Sequence, residues 1–160
     1  MRNFAGTAVN AEDHPAVTLR LTTFTPFRLN RLAAGVSEYL ADIYRERFGL
    51  DIPMWRVMAT VGLGGGCTAQ QVALSTRMHK TRVSRAIAAL IRRGLLSRCA
   101  SAADGRARPL ALTRAGRRMY ADLVPLALER ERTLLSCLPR APRAAFLDGL
   151  QCLEAFLRLT

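Results

Sequence analysis

Long apolar runs are missing from this 160-residue chain, although half of its residues are hydrophobic. None approaches the ~18 residues of a membrane-spanning helix, which argues against a helical membrane protein. The opening stretch, MRNFAGTAVNAEDHPAV, lacks the charged-then-apolar layout of a secretion signal, so the expected location is the cytoplasm. Metal ligands are sparse. The two histidines, His14 and His79, are far apart, and the four cysteines at 67, 99, 137 and 152 follow no zinc spacing. In a reducing compartment these cysteines are expected as small apolar core residues, the alternative being a cysteine-based redox sensor. Residues 62–66, GLGGG, match neither G-x-G-x-x-G nor a Gly-Lys-Ser/Thr loop and serve as a flexible link. No nucleophile motif and no carboxylate pair in an apolar context stands out, so an enzyme is not expected, and no cofactor is called for.

The scarcity that matters most is of acids in one segment. Residues 77–118 hold twelve of the 24 Lys and Arg but one of the 12 acids, Asp104. That segment is net +11 within a chain of formal charge +12. A solvated surface interleaves both signs; a one-signed block suits a polyanion. Lys80 is the chain's single lysine.

The same region carries the clearest structural pattern. Thr68 is placed to cap a short helix over Ala69–Ser75, its hydroxyl accepting from a free N–H. Thr76, Arg77 and Met78 make a turn. A second helix runs from about His79 or Lys80 to Arg93, with Val83, Ile87, Leu90 and Ile91 at the spacing of one buried stripe. Gly94 stops it. Residues 95–99 and 109–113 read as short strands around a turn at Ser101–Gly105. The order is helix, turn, helix, wing.

These residues resemble the MarR family of winged-helix transcriptional regulators. The resemblance rests on Thr68-Ala-Gln-Gln-Val-Ala, Met78-His-Lys-Thr-Arg-Val-Ser-Arg85, Leu90-Ile-Arg-Arg-Gly-Leu-Leu96, and Asp104-Gly-Arg106 leading to Leu110-Ala-Leu-Thr-Arg-Ala-Gly116. With flanking helices in order it covers roughly residues 25–158. Many members place an acidic or small polar cap where His79 stands.

The expected fold is therefore mainly α: a winged helix-turn-helix with a two-to-three-stranded antiparallel wing, flanked by dimerisation helices. Residues 1–16 are expected to be a flexible arm, 17–50 and 113–160 the dimerisation helices, and 51–112 the DNA-binding region, all in one domain. Thr25-Pro26 starts a helix that runs to about Phe48, and Pro53 opens the next, with Trp55, Met58 and Val61 inward. Val17, Leu19, Leu21 and Phe24 are expected to pack as a lead-in to the first of these. Thr113 caps a helix to about Ser136, kinked at Pro125, and Pro139–Pro142 starts the last one.

The function implied is sequence-specific binding to double-stranded DNA by a homodimer on a pseudo-palindromic operator. Lys80, Thr81, Arg82, Ser84 and Arg85 occupy the first turns of the second helix, where side chains reach base edges; arginine offers guanine two parallel donors. Thr68 and Arg108 are further candidate contacts. The resemblance implies that Asp104 braces the wing through arginine and that Arg106 enters the minor groove, whose negative potential attracts guanidinium groups. It also implies a repressor released by a small aromatic or phenolic acid, or a related thioester. Arg28, Arg31, Ser37, Trp55 and Arg56 are the candidate ligand residues, an arginine beside aromatic walls suiting a carboxylate. The competing reading is a non-specific architectural or RNA-binding basic protein.

Overall fold

The computed structural model describes residues 18–64, 66–99 and 108–159. Eight elements follow in order: α1 (Thr25–Phe48), α2 (Ile52–Gly62), α3 (Ala69–Thr76), α4 (Lys80–Arg92), β1 (Leu96–Arg98), β2 (Leu110–Leu112), α5 (Arg114–Leu135) and α6 (Arg140–Phe156). The chain divides into two units, residues 1–34 and 35–160. In the first unit, Leu19, Leu21 and Phe24 are all exposed, so the expected packing of the lead-in is not found. Its backbone instead makes a turn, Thr23 N–H donating to Arg20 O at 3.1 Å.

The second unit holds the core. Val57, Met58 and Val61 of α2, Val72 of α3, and Val83, Ala86, Ile87 and Leu90 of α4 are buried together with Leu96, Leu110, Leu112 and Leu123. Each of these side chains except Ala86 contributes on the order of 1.5–3 kcal/mol by leaving water. Three of the four residues expected on the inner face of α4 are therefore in the core. Ile91 is half-buried, and Ala86, small enough for close helix approach, takes a core place instead.

Local chemistry sets the helix ends. Asp51 Oδ1 accepts from Met54 N–H at 2.7 Å, so α2 starts at Ile52, one residue before the proline expected to open it. Thr68 forms a full capping box with Gln71: its Oγ1 accepts from Gln71 N–H (3.2 Å) while its own N–H donates to Gln71 Oε1 (2.8 Å). Gly94 has φ +67 after α4, the left-handed geometry a stop requires. Thr113 Oγ1 accepts from Gly116 N–H at 3.0 Å and donates to Gly94 O at 2.6 Å, so one hydroxyl caps α5 and ties it to the end of α4. α5 runs on through Pro125 as a single helix, and the proline's missing N–H leaves the Ala121 carbonyl without its helical donor.

β1 and β2 pair antiparallel, Leu96 opposite Leu112 and Arg98 opposite Leu110. Cys67 adds an isolated bridge on the other side of Leu110, its carbonyl accepting from Leu110 N–H at 2.8 Å. A third strand is thus reduced to one residue. The wing turn itself, with Asp104 and Arg106, lies outside the described residues. No helix among the described residues is long and apolar enough to cross a membrane.

One expectation needs correction here. Cys99, Cys137 and Cys152 are exposed, and Cys67 alone is partly buried, so the cysteines are not core residues. Cys99 follows β1, Cys137 lies in the turn between α5 and α6, and Cys152 is on α6; spacing along the chain does not reveal their exposure. α6, expected as a dimerisation helix, buries none of its own side chains, and Phe156 is 83% exposed.

Candidate nucleic-acid interface

The interface is built on α3, the turn after it, and α4. Arg77 ends α3 in the left-handed conformation (φ 53), a rare state for a residue with a side chain. Met78 is buried behind the turn. His79 then caps α4: its Nδ1 accepts from Thr81 N–H at 3.3 Å. The imidazole does the work of the acidic or small polar cap that many MarR proteins carry, and α4 begins at Lys80.

Because Val83, Ala86, Ile87 and Leu90 face the core, the helical period turns Lys80, Thr81, Ser84, Arg85 and Ala88 to solvent. Lys80, Thr81, Ser84 and Arg85 line one concavity with Ala69, Gln70 and Ala73 of α3. Gln70 was not singled out from sequence. Its position two residues after a helix cap was the available sign, since that turn must face the start of the next helix. Arg82 lies on the flank, in a second concavity with Arg85, Arg92, Asp51 and Pro53. Thr68 is occupied by its capping box and stands at the edge of this surface. Arg108 is exposed beside the undescribed wing turn.

Charge on this face is not neutralised internally. The ion pairs among the described residues are Arg45–Glu38 (2.8 Å) and Arg132–Glu129, both outside residues 77–118. Two arginines of the basic block have other work. Arg93 donates from Nη1 to Gly49 O and from Nη2 to Phe48 O, each at 2.7 Å, fastening the end of α4 to the end of α1. Arg117 donates to Leu112 O at 2.8 Å, joining α5 to β2. The remaining exposed cations form a surface that can grip phosphate and reach base edges.

A second site lies away from this face. An open cavity of about 520 Å³ is walled by Val36 and Leu40 of α1, Trp55 and Thr60 of α2, Tyr120 and Leu128 of α5, and Phe146 and Leu150 of α6, among other residues. Tyr44, Trp55 and Tyr120 stack in series, with ring centroids 5.6 and 6.3 Å apart. Burial pushes the Tyr44 phenol above its ordinary pKa, while Arg56 and Arg45 pull it the other way.

Of the candidate ligand residues, Trp55 lines this cavity. Arg56 does not; its Nη2 donates to Ser37 Oγ at 3.1 Å. Arg28 and Arg31 belong to the other unit, where Arg31 lies over the Phe27 ring at 5.8 Å. Among the described residues, no group of three or more His, Cys, Asp or Glu could hold a metal ion.

The MarR family model matches residues 48–107, the stretch from the end of α1 through the wing turn. No curated protein matches the chain. Among the solved structures, a MarR family transcriptional regulator from Silicibacter pomeroyi DSS-3 is 28% identical, with a TM-score of 0.76 over 88% of this chain and 99% of its own. BpsR of Bordetella bronchiseptica, whose DNA binding is regulated by 6-hydroxynicotinic acid, is 21% identical, with a TM-score of 0.74 over 86% and 97%. CouR of Rhodococcus jostii RHA1, solved bound to p-coumaroyl-CoA, is 20% identical, with a TM-score of 0.70 over 85% and 95%. Residues 48–107 thus resemble the MarR family, and the chain has the winged-helix fold of the MarR transcriptional regulators it is similar to.

Proposed function

We propose that this chain is a sequence-specific regulator of transcription that binds double-stranded DNA as a homodimer and acts in the cytoplasm, not an enzyme. The observation that carries the reading is the outer face of α4. Lys80, Thr81, Ser84 and Arg85 stand together and exposed, within a segment of net charge +11. A helix presenting such side chains from its first turns suits the major groove. Arg85 and Arg82 are assigned to guanine or phosphate, Thr81 and Ser84 to phosphate or thymine methyl groups, with Thr68 and Arg108 at the margins. In the wing, Arg106 is assigned to the minor groove and Asp104 to bracing it.

Two-fold pairing is supported by α6. Leu147, Leu153, Phe156 and Leu157 are exposed on it, more apolar surface than one unpartnered helix leaves in water. Pairing through the first and last helices would set two copies of α4 one turn of DNA apart, on a pseudo-palindromic operator.

Release by a small aromatic molecule is supported by the aromatic-walled cavity, by the p-coumaroyl-CoA bound to CouR and by the regulation of BpsR by 6-hydroxynicotinic acid. Of the candidate ligand residues, Trp55 is the one assigned to that cavity. Repression is the expected mode of action.

The test is binding to the DNA upstream of the protein's own gene against random duplex and RNA, at two salt concentrations. Preference for the native duplex that survives higher salt establishes the regulator. Equal binding to all three, lost together as salt rises, establishes instead a non-specific basic protein.

A further inference from the structure

The cavity that holds Trp55 is lined by apolar and aromatic side chains with one charged exception, Glu131. Its neighbours on α5 are engaged elsewhere: Glu129 pairs with Arg132, and Arg130 lies 4.5 Å over the Tyr39 ring. Glu131 itself forms no ion pair among the described residues. No arginine or lysine lines the space, and Arg56, the nearest candidate on α2, donates to Ser37.

We propose that this cavity takes a lipophilic aromatic cation, an arylalkyl amine in its protonated form, and not a carboxylate. The inference rests on the reading of the chain as a ligand-responsive regulator and names the charge of its ligand. The physical reason is desolvation. An anion entering an apolar space without a fixed cation loses its water with nothing in return. A cation there meets the Glu131 carboxylate at the wall, the one charged group of the lining. The volume, about 520 Å³, is within the range of small-molecule sites. α2, which supplies Trp55 and Thr60, also packs on α4, so occupancy bears on the element behind the DNA-facing helix.

The test uses three probes of one shape: 2-(aminomethyl)naphthalene, 2-(hydroxymethyl)naphthalene and 2-naphthoate, titrated calorimetrically into the full chain at about 0.15 M salt. The amine is expected to bind about tenfold more tightly than the alcohol, and the acid most weakly. Glu131→Gln, a change at an exposed position, is expected to bring the amine down to the alcohol while leaving the alcohol unchanged. An acid that binds most tightly overturns the proposal. So does an amine preference that survives Glu131→Gln, or binding of none of the three because a second copy of the chain fills the space.

DNA affinity, measured with each probe present, separates this from the regulator reading. Amine binding with the expected preference and no change in DNA affinity keeps the ligand class and removes the switch. Acid binding that releases DNA does the reverse.

Discussion

Gly116 is the position where the smallest change is expected to do the most harm. It sits in the first turn of α5, fully enclosed, with the backbone of β1's approach against it. A Cβ built there lies 3.0 Å from the carbonyl carbon of Leu95 and 3.4 Å from its Cα, and closer still to the carbonyl oxygen. Ordinary carbon contacts fall at about 3.5–4.0 Å. The obstacle is main chain, so no rotamer relieves it. α5 would have to withdraw from Leu95, straining Thr113, which bonds Gly116 N–H at one end and Gly94 O at the other. Overpacking of this kind costs about 1–3 kcal/mol, with a rigid backbone obstacle at the upper end. Alanine's better helix propensity returns about 1 kcal/mol. The net expectation for Gly116→Ala is a loss of about 2 kcal/mol, or roughly 4–8 °C in Tm for a chain of this size. Gly149→Ala is the control. Gly149 lies in α6 with nothing of its own chain within 4 Å of a built Cβ, so within one protomer only propensity acts, and a gain of about 0.5–1 kcal/mol is expected. Urea melts at one protein concentration read both. A Gly116→Ala protein as stable as the parent would refute the argument that α5 is seated by this contact.

Three further outcomes follow from the same geometry. Thr68→Ala removes the capping box of α3 and should lower stability by about 1 kcal/mol, seen as a shift in urea midpoint without change in slope; an unchanged midpoint would mean the cap is idle. Arg85→Ala should weaken DNA binding and reduce the salt slope by about 1, whereas Arg93→Ala should leave the slope unchanged and lower stability by roughly 1–2 kcal/mol for two exposed charge-assisted bonds. Equal slope changes in the two variants would contradict the separation of their roles. Under a thiol reagent near neutral pH, Cys99 should react well before Cys67, because burial pushes the Cys67 thiol upward and leaves less thiolate; faster modification of Cys67 would reverse that assignment.

Much of this fold was legible because its signals are local. The stripe Val83, Ile87, Leu90, the stop at Gly94 and the caps Thr68 and Thr113 each act within one or two turns of the chain. What was misread depends on partners far away in sequence. Three cysteines expected inside face solvent, Cys99 after β1, Cys137 in the turn between α5 and α6, and Cys152 on α6, since hydrophobic character alone does not tell which positions meet the core. Arg93 and Arg117 were counted with the DNA-facing charge, yet their guanidinium groups reach carbonyls: Arg93 those of Phe48 and Gly49, Arg117 that of Leu112. Nothing in the spacing Arg92-Arg93-Gly94 announces a partner more than forty residues upstream. Gln70 was missed for the related reason that a polar residue on a short helix acquires meaning only when the next helix is set beside it.

That division of the arginines changes what the charge block means. A net +11 over residues 77–118 by itself supports only sequence-independent attachment. The structure separates it into cations left free on the outer face of α4 and cations that fix where that face points. Arg93 holds the last turn of α4 to the end of α1, Arg117 holds the first turn of α5 to β2, and Thr113 closes the gap between α4 and α5. A surface meant only to attract a polyanion has no need of such orientation, since long-range attraction is indifferent to side-chain register. Reading base edges does need it, because a bidentate contact fails when the donor pair is misplaced by an ångström or so. The anchoring of α4 at its far end is thus an argument for specificity that the charge count alone does not supply.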